Sequence, residues 1–341
     1  LDWTAPPKRS RGSRHERFCG LTGRLTGRVT ALTPLFLPDK RVTGNPKQFI
    51  RNEARQAIIP GSSLKGLIRS VVETVGPGCW WLFDGTYEGR RVDYQERLPQ
   101  EFRRCRNLDS LCPACRMFGM LAGRASLLGK VCFNEAVCVK EERHEAVFTP
   151  ILDGPKPRHG AWYLRQDKVA GRKFYFHQPG IQTLRELRQT NRGVAMNQHI
   201  APLGQGTVFE FSVNFYNVEE KEEWPLLLYA LCLEPGVRHK FGYAKPAGFG
   251  SIEIELTALH LTDPVSRYGG GKTSRNVTGK ELDSLVTTAI QDRTTDKQSV
   301  TLCDLRRIWA WPPHDNVKYG YPGQAWFRDN PKRPIAETSE V

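Results

Sequence analysis

The chain has 341 residues and a formal net charge of +14, with a pI near 9.5, so it is long enough for a full core and suits a polyanionic partner better than an acidic small substrate. No apolar run approaches the roughly 20 residues of a spanning helix, and the Arg-rich N-terminus lacks the apolar core of a secretory signal, which excludes a helical membrane span and predicts a cytoplasmic protein. Nine cysteines, an odd number for a reducing compartment, argue against a disulfide framework and for metal ligation or core packing.

Residues 1–20 read as a basic extension carrying Lys8, Arg9, Arg11, Arg14 and Arg17. From Leu21 the pattern alternates, with Leu21, Leu25, Val29 and Ala31 on one face and Thr22, Arg24, Thr26 and Arg28 on the other. This predicts a half-buried strand with a basic open face. Leu64, Leu67, Ile68, Val71, Val72 and Val75 then recur at helical spacing, with Ser62 or Ser63 as cap and Gly76-Pro77 as stop. A second strand falls within 127–139. A third, "TVFEFSVNFYNV", is expected to bury Phe209, Phe211, Val213 and Phe215 and to expose Glu210, Ser212 and Asn214. Trp224, Leu227, Leu228 and Leu231 mark a second amphipathic helix, and Ile252, Ile254, Leu256 and Ala258 a final strand.

Strand, helix, strand, twice over, is the ferredoxin-like (RRM-like) arrangement of an α+β fold, with one antiparallel sheet, both helices on one face and the other face open. The connections at 34–62, 77–126 and 140–205 are too long for turns and elaborate this core, which spans 21–262. A C-terminal extension, 263–341, follows, with a glycine run at 269–271 and a helix over 279–293. The open face of the first strand offers Thr and Arg rather than aromatic rings, so nucleic acid would be held through backbone contacts and loops instead of base stacking on the sheet.

Three features carry chemistry. "IIPGSSLKGLIRS" departs from a Walker A loop, because Lys65 precedes Gly66 and no Ser or Thr follows. It remains an anion site in type, since a helix start presents free N–H groups and Ser62, Ser63, Lys65 and Arg69 add donors. "RHKFGYAKPAGFGSIEIEL" places Gly242, Gly248 and Gly250 among His239, Lys240 and Lys245, which suits close approach of a phosphate backbone; the alternative is a tight turn whose glycines serve only local geometry. Cys112 and Cys115 have the spacing of a zinc knuckle, with Cys105 upstream and Cys79 as a fourth soft ligand. His144 and His15 are reserve ligands, the alternative being buried free thiols. Cys19, Cys132, Cys138, Cys232 and Cys303 are expected in the core.

Taken together, "IPGSSLKGLIRS", "CPACRMFG" followed by "GKVCFNEA", "GRKFYFHQ" and "HKFGYAKPAGFGSIEI" resemble the repeat-associated mysterious protein (RAMP) superfamily of CRISPR effector subunits, over most of residues 20–262. Within it the chain is most similar to the backbone subunits of type III-D-like and type VII systems. The resemblance implies a prokaryotic antiviral ribonucleoprotein whose partners are a CRISPR guide RNA, complementary target RNA, copies of the chain in a filament, effector subunits capping the guide ends and a recruited nuclease. It also implies a structural Zn²⁺ in the 77–126 loop and makes 140–205 a thumb crossing the guide, where Arg172 and Lys173 interleave with aromatics. Arg24, Arg28, Ser62, Ser63, Lys65, Arg69, His239, Lys240, Lys245 and Gly248 complete the expected RNA contacts. In related cleaving subunits an aspartate in the loop after the first strand supports target cleavage, and Asp39 lies in the corresponding loop here. The alternative function is therefore a metal-dependent endoribonuclease using Asp39 and Mg²⁺, or a guide-processing ribonuclease using His177 or His239.

Overall fold

Alternation of apolar and polar side chains makes strands of Leu21–Ala31 (β1) and Val208–Val218 (β5), and these two pair antiparallel along their full lengths, from Leu21↔Val218 to Thr30↔Val208. The computed structural model describes the chain except residues 1–4, 13–16, 19, 81, 83, 88, 153–159, 167, 188–195, 264–273, 296–298, 315–323 and 334–341. His15, Cys19, the glycine run at 269–271 and most of "GPKPRHG" and "NRGVA" lie outside the described residues.

Between those strands come Ile58–Ile59 (β2), the helix Gly61–Val75 (α1), the short helix Pro113–Phe118 (α2), Val131–Phe133 (β3) and Ala136–Lys140 (β4). After β5 come Glu223–Cys232 (α3), His239–Lys240 (β6) and Ser251–Thr262 (β7). The sheet is antiparallel in the order β6–β7–β1–β5–β4–β2, with β3 also beside β5. Its four central positions reproduce the ferredoxin-like order, and α1 and α3 pack together on one face. The core between the layers is built from Leu25, Val29, Phe209 and Val213 of the sheet and Leu64, Ile68, Val72, Leu227 and Leu231 of the helices, all fully buried.

Four expectations change. The second strand is split into β3 and β4 by Asn134 and Glu135, because Asn134 turns its side chain onto Ser212 Oγ at 2.8 Å. Ser212 is thereby buried, with Arg24 Nη2 donating to the same oxygen at 2.8 Å. Helix α1 starts at Gly61, so Ser62 and Ser63 lie inside its first turn. Pro60 is the capping residue, and its carbonyl accepts from Ser63 and Leu64 N–H. The open face is not basic: β5 and β7 bring Glu210, Glu253 and Glu255 beside Arg28 and Thr30, and Arg28 Nη2 is 3.0 Å from Glu210 Oε1.

Helix α3 is buried on every side, from Glu223 and Trp224 through Leu231. The reason lies in the C-terminal extension. Ser274–Thr278 (β8) adds a strand beside β7, Gly279–Thr294 (α4) packs across α3, and Val300–Ile308 (α5) follows. A helix apolar all round needs a second cover, and the buried Leu282, Ala289, Leu302 and Leu305 join that core. Among the described residues no helix is long and apolar enough to cross a membrane.

Candidate metal centre and nucleic-acid interface

Helix α1 ends at Gly76, where the chain enters the loop that holds Cys79. Two single-turn helices lead to Cys105, and Cys112 and Cys115 bracket the start of α2, where Pro113 fits the first helical position. The four sulfurs lie within 4.8 Å of one another and all four residues are buried. Cys79 and Cys115 approach to 3.6 Å, and none of the four is in a disulfide. Tetrahedral zinc with Zn–S bonds of about 2.3 Å needs sulfurs about 3.8 Å apart, so the cluster has the size and donor set of a structural Cys₄ site. Mutual hydrogen bonds hold the Cys112 thiol far below its ordinary range and push those of Cys79 and Cys115 above it. Among the described residues these cysteines form the sole group of three or more side chains suited to a metal. His144 is elsewhere, exposed, with Nδ1 2.8 Å from the Glu145 carbonyl.

The surroundings of the sulfurs are cationic. Cys112 N–H donates to Cys105 Sγ at 3.3 Å, Arg9 Nη1 donates to the same sulfur at 3.4 Å, and Arg69 Nη2 donates to Cys115 Sγ at 3.7 Å. Four thiolates around Zn²⁺ would carry a formal charge of about −2, which the two guanidiniums in contact with these sulfurs would offset. Arg69 also donates to Glu73 at 2.8 Å. Arg172 joins the same Glu73 at 3.1 Å and the Cys79 carbonyl at 3.2 Å, and it stacks 4.2 Å over the Trp80 ring. Arg69 and Arg172, expected as phosphate contacts, therefore brace the cysteine loop.

The cations of the glycine loop also have partners within the chain. Lys240 is 3% exposed, and its Nζ donates to the Gly248 carbonyl and Ser251 Oγ, both at 3.1 Å. Burial brings its pKa down to about 7. His239 is buried with Nε2 2.8 Å from the Ala230 carbonyl, and Lys245 Nζ donates to the Gly242 carbonyl at 2.8 Å. Gly248 has φ +93°, and a Cβ there would lie 2.3 Å from the Gly180 carbonyl oxygen. Its glycine thus answers an internal need. His177 is enclosed between Ser251 Oγ at 2.8 Å and the Arg238 carbonyl at 2.9 Å, and burial lowers its pKa to about 3. Trp309 and Trp311 lie against the two imidazoles, at ring distances of 5.6 and 5.2 Å. Neither histidine reaches solvent to serve RNA processing.

Asp39 is also committed. Its side chain is 6% exposed, Oδ1 accepts from Arg41 N–H at 2.9 Å and Nε at 3.0 Å, and Oδ2 accepts from Nη2 at 2.9 Å. The Arg41 guanidinium holds the carboxyl below its usual range. A metal at Asp39 would have to displace both arms of this pair.

The start of α1 remains open. Ser62 and Gly66 are exposed, Lys65 is half-exposed, and among the described residues Lys65 forms no ion pair. No atom lies within 4 Å of a Cβ built on Gly66. Lys173 is exposed on the long insertion, its ammonium 5.0 Å from the Tyr175 ring centre and 5.6 Å from that of Tyr163. Of the cysteines expected in the core, Cys138 and Cys232 are half-buried, whereas Cys132 and Cys303 are exposed. Cys132 alternates outward between Val131 and Phe133.

Sequence reasoning missed Arg9. It also missed a buried network in which Arg116 Nε and Lys130 Nζ donate to the two oxygens of Glu223 at 3.1 and 2.8 Å. Partners 96 and 107 positions apart leave no local pattern to read. No curated protein matches the chain. A protein-family model described as the RAMP superfamily matches residues 28–253.

Proposed function

Because the chain belongs to the RAMP superfamily, we propose that it is a CRISPR guide-RNA-binding backbone subunit of a type III-D-like or type VII antiviral effector complex, copies of which line up along the guide. The observation that carries this reading is the first two turns of α1. A helix start has unpaired N–H donors and a positive end. Here the exposed Ser62 and Gly66 and the uncommitted Lys65 surround it in a chain of net charge +14. Such donors meet phosphate oxygens and have no fixed base edge to read, so binding is independent of guide sequence. Lys173, between two tyrosines, supplies a second contact from the insertion.

The commitment of Asp39 to Arg41 favours a subunit that holds RNA without cutting it, with cleavage left to a recruited nuclease. Zinc in the Cys79, Cys105, Cys112, Cys115 cluster would fix the loop beside α1 and have no part in chemistry.

Lys65→Ala and Lys173→Ala test the interface. Each is expected to weaken binding of unrelated guide sequences equally, and to lower the log-log salt slope by roughly 0.7, the value for one single-strand phosphate contact. If affinity and slope stay unchanged in the double variant, this surface does not meet RNA.

A further inference from the structure

We infer that the N-terminal segment is a clasp on the metal centre, with Arg9 as the residue that positions Cys105. The inference rests on the cysteine cluster holding a metal. Arg9 gathers three acceptors from one short stretch: Nη2 donates to the Glu101 carbonyl at 2.8 Å and the Arg103 carbonyl at 2.6 Å, and Nη1 donates to Cys105 Sγ at 3.4 Å. Cys105 stands outside the CxxC helix turn, so no helical geometry aims its sulfur. Its direction is set by the loop that Arg9 holds. Ser10 then pairs with Leu111 in both directions, N–H to carbonyl at 3.0 and 2.8 Å, and Gly12 N–H donates to the Leu108 carbonyl at 3.1 Å. Leu111 directly precedes Cys112, so the segment spans the loop between two of the four ligands. Ser10 Oγ also accepts from Arg116, the residue after Cys115, which ties in the far side of the knuckle.

These contacts make an outer sphere that fixes two ligand segments relative to each other. Outer-sphere partners of this kind typically change metal affinity by 10–100-fold when removed. Part of the basic N-terminal extension is thus turned inward, toward the chain's own metal loop.

The test uses the full chain loaded with zinc, timing metal transfer to a chromophoric chelator and tryptic cleavage after Lys8, Arg9 and Arg11. Arg9→Ala is expected to keep stoichiometric zinc but release it at least tenfold faster, and to be cut at Lys8 and Arg11 well before the native chain. Arg11→Ala is the control: Arg11 belongs to the same segment and has the same charge, but its partner is the exposed Asp109 at 3.2 Å. It should release zinc at the native rate. Arg9→Lys, which retains charge without the fork, should fall between Arg9→Ala and the native chain. Equal release rates for Arg9→Ala and Arg11→Ala would overturn the clasp while leaving the metal site standing. Native protein that takes up no zinc would overturn both.

Discussion

Burying Lys240 against the Gly248 carbonyl and Ser251 favours its neutral form, because desolvation penalises the ammonium more than the amine. Between about pH 7 and its ordinary value of 10.5, the unfolded chain binds a proton that the folded chain lacks. Stability therefore rises with pH across that window, by up to about 1.4 kcal/mol per unit. Below about pH 7 both states carry the proton and the slope disappears. His239, lowered to about 4 by burial, acts with the same sign in a lower window: stability is lost as the pH falls from about 6.5 to about 4. Urea unfolding of native protein and Lys240→Met at pH 7, 8 and 9 checks this. The variant should lose the upper slope, and a slope common to both proteins would mean that Lys240 is charged in the fold. Gly66 gives a prediction of opposite signs. With nothing near its Cβ position, Gly66→Ala should stabilise α1 by up to about 1 kcal/mol. The same methyl group would stand where RNA is proposed to approach, so guide affinity should fall while the melting temperature rises.

At the scale of elements, the cysteine loop and the C-terminal extension each supply a cover that the four-stranded core lacks. Native protein is expected to contain one zinc per chain by elemental analysis. Cys112→Ser should lose it together with several degrees of melting temperature, since a structural metal contributes directly to folding. Stoichiometric zinc retained by this variant would exclude Cys112 as a ligand. For the extension, α4 packs across the apolar helix α3. A chain stopped after Thr262 would lose this cover, and is expected to aggregate or to bind a hydrophobic dye that the full chain excludes. Soluble, monomeric truncated protein would show that α4 and β8 are dispensable covers.

For the molecule as a whole, the question is whether holding RNA and cutting it belong to the same chain. Asp39→Ala removes a carboxylate from three donors of Arg41, and because the Arg41 left behind is largely exposed, stability should fall by about 1 kcal/mol or less. Neither native protein nor the variant is expected to cleave complementary RNA in Mg²⁺. Cleavage by the native chain that disappears in Asp39→Ala with guide binding retained would establish the endoribonuclease reading instead.

Local pattern was enough for β1, α1, β5 and β7, because alternation and helical spacing are properties of neighbours along the chain. The same is true of the candidate cysteine ligands, whose chemistry is written in residue type and short spacing. The fate of the cations was decided elsewhere. Lys240, Arg69 and Arg172 looked like phosphate donors in sequence, and the tertiary structure gave them carbonyls, a sulfur and Glu73 from distant segments. Likewise Glu210, Glu253 and Glu255 cancel the charge of the open face only once three strands stand side by side. By itself the sequence determined β1, α1, β5, α3 and β7, and which side chains have the chemistry to bind metal or anion, since both depend on near neighbours and intrinsic chemistry. Only the tertiary structure decided which charges stay free for a partner, because that depends on what long-range packing brings within hydrogen-bonding distance.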